Sequence, residues 1–251
     1  MQYSDANTQT IPIKLLGKEW LIQRPASLEE LWDRLAEDGP VPGPQHAEPH
    51  FPEINMDDLM QAFEEDDRIP YWTEIWPAGI ALAEWIARRG AKIKNRFCLD
   101  LGCGLGLSAV IGAAYGAKVV GMDYEPLALY YAARNDLHNN RSGHTGSPVF
   151  VAADWRKPAF RKGAFDLIWA GDIMYERRFM NPVAEFINHC LAPSGTTWIA
   201  EPGRGIYPEF ARKMQQNGWR VEIVERLQAA LPGSAAPPSD IQIWQLSRKN
   251  P

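Results

Sequence analysis

The run Cys98-Leu99-Asp100-Leu101-Gly102-Cys103-Gly104-Leu105-Gly106-Leu107 takes an apolar segment into a carboxylate and then places glycines at alternate positions. A second apolar run, Val119-Val120-Gly121-Met122, ends in Asp123. It follows about twenty residues later, the spacing at which the acid of a nucleotide site on a parallel sheet meets ribose hydroxyls. Gly102 and Gly104 let the backbone turn sharply and approach a ligand with no Cβ in the way. A helix opening near Leu107 would aim its N-terminal amides at the same place. The loop departs from the dinucleotide fingerprint, whose third glycine comes one position later. Asp100, two residues before the first glycine, would repel a pyrophosphate. It suits a ligand with an ammonium and a sulfonium, and S-adenosylmethionine carries both. Asp123 has a competing reading as the N-cap of the helix after it.

Further along, Asp154-Trp155 follows a short apolar run. An indole there would stack on adenine, and the carboxylate would accept from its exocyclic amine; the bland alternative is a core tryptophan. The segment Phe165–Ala170 leads into Gly171-Asp172-Ile173-Met174-Tyr175. Ligands of open α/β sheets bind outside the carboxyl ends of the strands, so Asp172 and Tyr175 should face the group that receives a methyl, with Gly171 admitting the backbone close to the cofactor. Such a reaction needs a neutral nucleophile held in line with the C–S bond. An amine becomes cationic as it accepts the methyl, and a carboxylate and a phenol would orient it and stabilise that charge. A lysine must first lose a proton, which Asp172 would assist directly or through water. The competing reading makes Asp172 a helix cap and Tyr175 a packed ring. The aromatic segment Pro70-Tyr71-Trp72-Thr73-Glu74-Ile75-Trp76-Pro77 reads equally as core or as a wall of this site.

These residues need a scaffold, and the chain supplies one. It has 251 residues, 45% of them hydrophobic, enough for one large domain with an extension. From Trp76 onward strands and helices alternate with short joints. Strands are expected at 97–101, 118–122, 149–153, 165–170, 196–200, 221–226 and 241–246. Helices are expected from Pro77 to near Gly90 and at 107–115, 126–139, 181–191 and 208–216. Five alternating strands should be parallel, and the last two, joined by a loop alone, should form an antiparallel hairpin. The expected fold is therefore α/β: a Rossmann-like seven-stranded, mostly parallel sheet with a terminal antiparallel hairpin and helices on both faces. That is the outline of a class I methyltransferase. Residues 1–70 read as a small N-terminal extension and 71–251 as the methyltransferase domain. In the extension, Gly17-Lys18 turns a hairpin, a capping box at Ser27–Glu30 starts a helix to about Ala36, a proline-rich loop covers 39–52, and a short helix at 55–63 precedes an acidic run at 64–67.

Taken together, Trp76-Pro77-Ala78-Gly79, the glycine loop, Asp123, Asp154-Trp155 and Asp172-Ile173-Met174-Tyr175 resemble the seven-β-strand protein-lysine methyltransferases, the group that includes the electron-transfer flavoprotein β-subunit lysine methyltransferase. The resemblance covers about residues 68–227. It implies that Trp76 contacts the cofactor and that Gly102, Cys103 and Gly104 surround its methionine portion. It further implies that Asp123 holds the ribose, that Trp155 flanks adenine, that Gly171 packs against the cofactor, and that Asp172 and Tyr175 guide the target nitrogen.

The acceptor expected on this basis is a protein lysine. A small-molecule amine is the alternative, and a non-catalytic module that binds S-adenosylmethionine is a third reading. The net charge of −5 and the absence of a basic extension argue against a nucleic-acid partner. No apolar run is long enough for a bilayer. Cys98, Cys103 and Cys190 have neither metal-ligand nor disulfide spacing, so no metal is expected and the cytoplasm is the expected compartment. The oligomeric state is left open.

Overall fold

The computed structural model describes residues 8–26, 71–140 and 146–249. The helices expected at 28–36 and 55–63, the proline-rich loop and the acidic run lie outside the described residues.

Two strands, β1 (Thr8–Leu15) and β2 (Lys18–Pro25), form an antiparallel ribbon of their own. The turn is Leu16-Gly17, both at positive φ (49° and 77°), which matches the twist of a two-residue hairpin. Lys18 therefore belongs to the strand and pairs with Leu15, rather than to the turn.

Helix α1 (Pro77–Arg88) starts with proline in its first turn, where a missing N–H costs nothing, and a four-residue helix α2 (Gly90–Ile93) follows it. Strand and helix then alternate through β3 (Phe97–Leu101), α3 (Leu107–Ala114), β4 (Lys118–Asp123), α4 (Pro126–Asn140) and β5 (Val149–Ala152). A loop without a helix, 153–164, leads to β6 (Phe165–Gly171), and the alternation resumes with α5 (Met180–Cys190), β7 (Leu191–Glu201) and α6 (Tyr207–Gln216). The chain closes with β8 (Trp219–Ala229) and β9 (Ser239–Arg248).

The seven strands from β3 onward make one sheet in the order β5-β4-β3-β6-β7-β9-β8. Pairs among β3 to β7 are parallel, whereas β9 pairs antiparallel with both β7 and β8. The expected fold class holds. The terminal strands are longer than expected because the hairpin keeps its register from Trp219↔Arg248 to Ala229↔Ser239, with one irregularity between Ile223 and Glu225.

The sheet is covered on both faces, and its strands read accordingly as continuous apolar runs whose alternate residues go opposite ways. On one face Cys98, Leu167, Trp169 and Trp198 pack with α1, α3 and α4; on the other Leu99, Leu101, Ile168, Ala170 and Ile199 pack with α5 and α6. Helix α3 lies close where Gly112 faces the sheet. A Cβ on Gly112 would stand 2.8 Å from the indole of Trp169 beneath it. Gly106, the N-cap of α3 at φ 81°, lies against α4, where a Cβ would come within 2.8 Å of Ala132.

The ribbon is fastened to α4 by two asparagines. Asn135, wholly buried, accepts the Gln23 N–H at 2.7 Å and donates to the carbonyls of Gln23 (3.0 Å) and Leu105 (2.9 Å). Asn139 repeats the arrangement one turn on, with the N–H and carbonyl of Leu21. The edge of β2 thus finds its hydrogen-bond partners on a helix, and the same side chain reaches the glycine loop.

Candidate active site

Chain order reverses between β3 and β6, neighbours at the middle of the sheet. This is the topological switch point, where the loops leaving the two strands diverge and a crevice opens. A cavity of about 720 Å³ lies there. All the residues singled out from the sequence line it: Trp76, Asp100, Gly102, Cys103, Gly104, Asp123, Asp154, Trp155, Gly171, Asp172 and Tyr175.

Gly102 and Gly104 have φ of 70° and 49°, a region L side chains rarely enter. A Cβ on Gly102 would meet Ile173 Cγ2 at 2.9 Å and approach the Trp155 ring at 3.6 Å. The amides of Gly102 and Cys103 both donate to the Met122 carbonyl, tying the loop to the end of β4. Asp123 completes the tie. Its Oδ2 accepts the Gly104 N–H at 2.8 Å, and its Oδ1 accepts the Glu125 N–H at 3.1 Å. The second bond is the cap-like contact, and the first joins the acid to the loop. The Tyr124 amide adds a further bond to the carboxylate, which still has acceptor capacity beyond these three amides. Burial raises the Asp123 carboxyl from its usual range, opposed by these amides.

Asp100 is 1% exposed and accepts the Ser108 hydroxyl at 2.6 Å. Burial raises its carboxyl to about 7, against the lowering effect of the Ser108 bond. This carboxyl also borders the cavity. Cys103 is also buried, and desolvation with the nearby Asp123 and Asp100 charges pushes its thiol well up, which leaves it a packing residue against β4.

Asp154 lies two residues beyond the end of β5, and its carboxylate takes the Arg156 Nε at 3.0 and 2.8 Å as well as the Arg156 amide at 2.8 Å. Trp155 packs edge-on to Phe179, ring centres 5.3 Å apart. Phe179 also meets Tyr175 at 5.0 Å, and Tyr175 meets Tyr71 at 4.8 Å. Tyr71 in turn lies 6.0 Å from the ring of Trp76, whose Nε1 donates to the Tyr71 carbonyl at 2.9 Å. The aromatic segment before α1 is therefore a wall of the cavity. Burial above all raises the Tyr175 phenol to about 12.

The position freed by Gly171 lies toward α1, where a Cβ would come within 3.3 Å of Gly79 Cα. Its missing Cβ thus eases the approach of β6 to the helix, where the sequence alone suggests an approach to the cofactor. The next residue, Asp172, is 8% exposed and holds φ 52°. This is a strained conformation for a residue with a side chain, of a kind concentrated at functional sites. Its carboxylate is gripped by Arg204: Nε to Oδ1 at 2.6 Å and Nη2 to Oδ2 at 2.7 Å.

Arg204 was missed in the sequence. It is set by Glu201, the last residue of β7, whose Oε2 accepts the amides of Gly203 and Arg204, each at 2.7 Å. Glu201 Oε1 accepts the Trp244 indole N–H at 2.9 Å. The signal was present in Glu201-Pro202-Gly203-Arg204, which follows a strand at the same end of the sheet as Asp172.

S-adenosylmethionine fits these residues. The cavity is of the size that takes a ligand of that bulk. The glycine loop, Asp100 and Asp123 border that cavity together; the Asp100 carboxyl suits an ammonium, and Asp123 has acceptor capacity for a ribose. Among the described residues, no group of His, Cys, Asp and Glu is arranged to hold a metal ion. No helix among them is long and apolar enough to cross a membrane.

Residues 55–216 match the lysine methyltransferase family. The chain belongs to that family. The electron transfer flavoprotein beta subunit lysine methyltransferase of Danio rerio is 32% identical over 142 residues, 56% of this chain and 53% of that protein. The protein N-lysine methyltransferase METTL21A of Danio rerio is 26% identical over 153 residues, 60% of this chain and 69% of that protein. The chain spans about half the length of the electron transfer flavoprotein beta subunit enzymes it matches. Among solved structures, magnesium protoporphyrin IX methyltransferase from Synechocystis PCC 6803 shares the fold. It aligns with TM-score 0.53 at 14% identity, covering 89% of this chain and 92% of that one.

Proposed function

We propose that this member of the lysine methyltransferase family transfers a methyl group from S-adenosylmethionine to the side-chain amine of a lysine in a protein. One observation carries the reading: the glycine loop with its acids and the Asp172–Tyr175 pair line a single cavity at the switch point of the sheet. The names of the relatives support a protein acceptor.

The cofactor supplies an electrophilic methyl on a sulfonium. Asp100 would receive its ammonium, Asp123 its ribose, and Gly102, Cys103 and Gly104 would lie along its methionine portion. Trp76, Asp154, Trp155 and Gly171 border the remainder of the same cavity. Asp172 and Tyr175 would orient the lysine nitrogen by hydrogen bonds, so that the attack is in line. With its phenol raised to about 12, Tyr175 stays neutral at physiological pH and orients rather than takes protons.

We divide the chain into a 1–70 extension and a 71–251 catalytic domain; the described part of the extension is a two-stranded sheet of its own that shares the core of the larger unit. Three buried, free thiols support a reducing compartment, the cytoplasm.

The test is incubation of the purified chain with radiolabelled S-adenosylmethionine and host lysate, followed by mass spectrometry of labelled bands. The electron transfer flavoprotein beta subunit, named in several relatives, is the first purified acceptor to assay. Methylated lysine in a protein is the expected result. Label confined to small metabolites would replace the protein acceptor with a small-molecule amine.

A further inference from the structure

The carboxylate that should meet the target nitrogen is not a lone anion. Arg204 spans both its oxygens in the fork geometry that fixes a carboxylate's plane as well as its position. The pair differs in exposure, with the Asp172 side chain at 6% and Arg204 at 35%. The guanidinium thus lies on the more open side, in the lining of the cavity itself. Its backbone is fixed by the buried Glu201, whose own carboxylate is taken up by two amides and an indole. Nothing in this arrangement is needed to join β6 to β7, which already pair from Leu167 to Gly171. Tying down an αL aspartate at a strand end with an arginine from the neighbouring strand's loop is a device aimed at the cavity.

We infer that Arg204 is a positioning residue of the acceptor side, which holds the Asp172 carboxylate and cancels its charge, so that the site meets a neutral amine rather than attracting an ammonium. This deepens the reading of the site given above and rests on it. Protonated lysine has no lone pair and cannot attack, so a bare carboxylate at this point would favour the unreactive form. Paired with Arg204, Asp172 retains lone pairs to accept N–H bonds from the amine. It no longer presents a net negative charge to a cation.

The test uses two ligands that need no acceptor protein. S-adenosylhomocysteine has a neutral sulfur at the reactive position. Sinefungin carries an amine there, protonated at neutral pH. Each is titrated by calorimetry into the full chain and its variants, and the ratio of the two affinities is the readout. Loosened folding would weaken both ligands together and leave that ratio unmoved.

Arg204→Met unmasks Asp172 and should shift the ratio toward sinefungin by roughly tenfold, the scale of one nearby charge in a partly buried site. Asp172→Asn leaves Arg204 unopposed and should shift it the other way by a similar factor. The double variant should return it to the wild-type value, and Arg204→Lys, which keeps the charge, should leave it near wild type. If Arg204→Met does not fold, Arg204→Gln and the Asp172→Asn arm read the same pair. An unchanged ratio in the neutral Arg204 variants and in Asp172→Asn overturns the inference. Failure of the wild-type chain to bind either ligand removes the cofactor reading, and this inference with it.

Discussion

Asp123 on β4 and Gly104 in the loop after β3 are joined by a 2.8 Å bond from amide to carboxylate, so the acid that would hold a ribose also shapes the loop beside it. Asp123→Ala should therefore weaken S-adenosylmethionine binding in two ways, by losing the acceptor and by freeing the loop. A charged hydrogen bond is worth about 1.5–3 kcal/mol, so a loss of roughly ten- to a hundredfold in affinity is expected. Isothermal titration calorimetry measures it directly. Unaltered affinity would remove Asp123 from the site.

Asp100 carries a pH dependence whose sign is fixed by burial. Its carboxyl is raised to about 7 in the folded chain, from an ordinary value of 3.8. The native state then holds a proton that the unfolded state gives up, and this contribution to stability is lost as pH rises from about 4 through about 7. Asp123 is shifted in the same direction, so the comparison must be with a variant. Asp100→Asn should gain melting temperature relative to wild type as pH is raised from 5 to 8, while binding S-adenosylmethionine more weakly at pH 8. Melting curves at several pH values follow the first effect and calorimetry the second. A difference between the two proteins that stays constant with pH would contradict the assignment.

Tyr175→Phe removes one oxygen and leaves a ring in the stack with Tyr71 and Phe179. Melting temperature and cofactor affinity should be close to wild type, and turnover on a lysine acceptor should fall by roughly ten- to a hundredfold, as for the loss of a group that orients the nucleophile. Steady-state kinetics with saturating cofactor separate these outcomes. Full turnover would make Tyr175 a packing residue only.

How far the sequence revealed the site depends on how local each piece is. Asp100, Gly102, Gly104 and Asp123 belong to one strand-loop-helix-strand unit, so their spacing alone announces them. The parallel order of β3, β4, β5, β6 and β7 follows nearly as directly, because helices connect all of them except β5 and β6, which a loop over 153–164 joins. Arg204 stands 32 residues from Asp172, and the two meet only because β6 and β7 are neighbours with their ends aligned. Gly171 was read as making room for a ligand, and only the crossing of β6 under α1 reveals that Gly79 occupies that direction. The position of β9 between β7 and β8 was equally hidden, since a hairpin can join a sheet by either strand.

The attachment of the N-terminal ribbon was the least visible of all, because Asn135 and Gln23 are 112 residues apart. Asn135→Leu would leave the backbone groups of Gln23 and the Leu105 carbonyl without their buried partner. A cost of about 2–4 kcal/mol is expected, together with release of residues 8–25 to proteases. Chemical denaturation and limited proteolysis should show both effects, and weaker cofactor binding should accompany them through Leu105. Intact resistance of the ribbon to proteolysis would mean that its apolar contacts suffice to hold it.

Because β9 lies between β7 and β8, the order of assembly differs from the order of synthesis. As the chain leaves the ribosome, β8 emerges before the strand it pairs with exists, and β7 keeps an open flank until the same moment. Both vacancies are filled by one segment, Ser239–Arg248. The sheet therefore cannot be completed while the polypeptide is still short of those residues. A ribosome stalled within that stretch would present two unpaired edges at once.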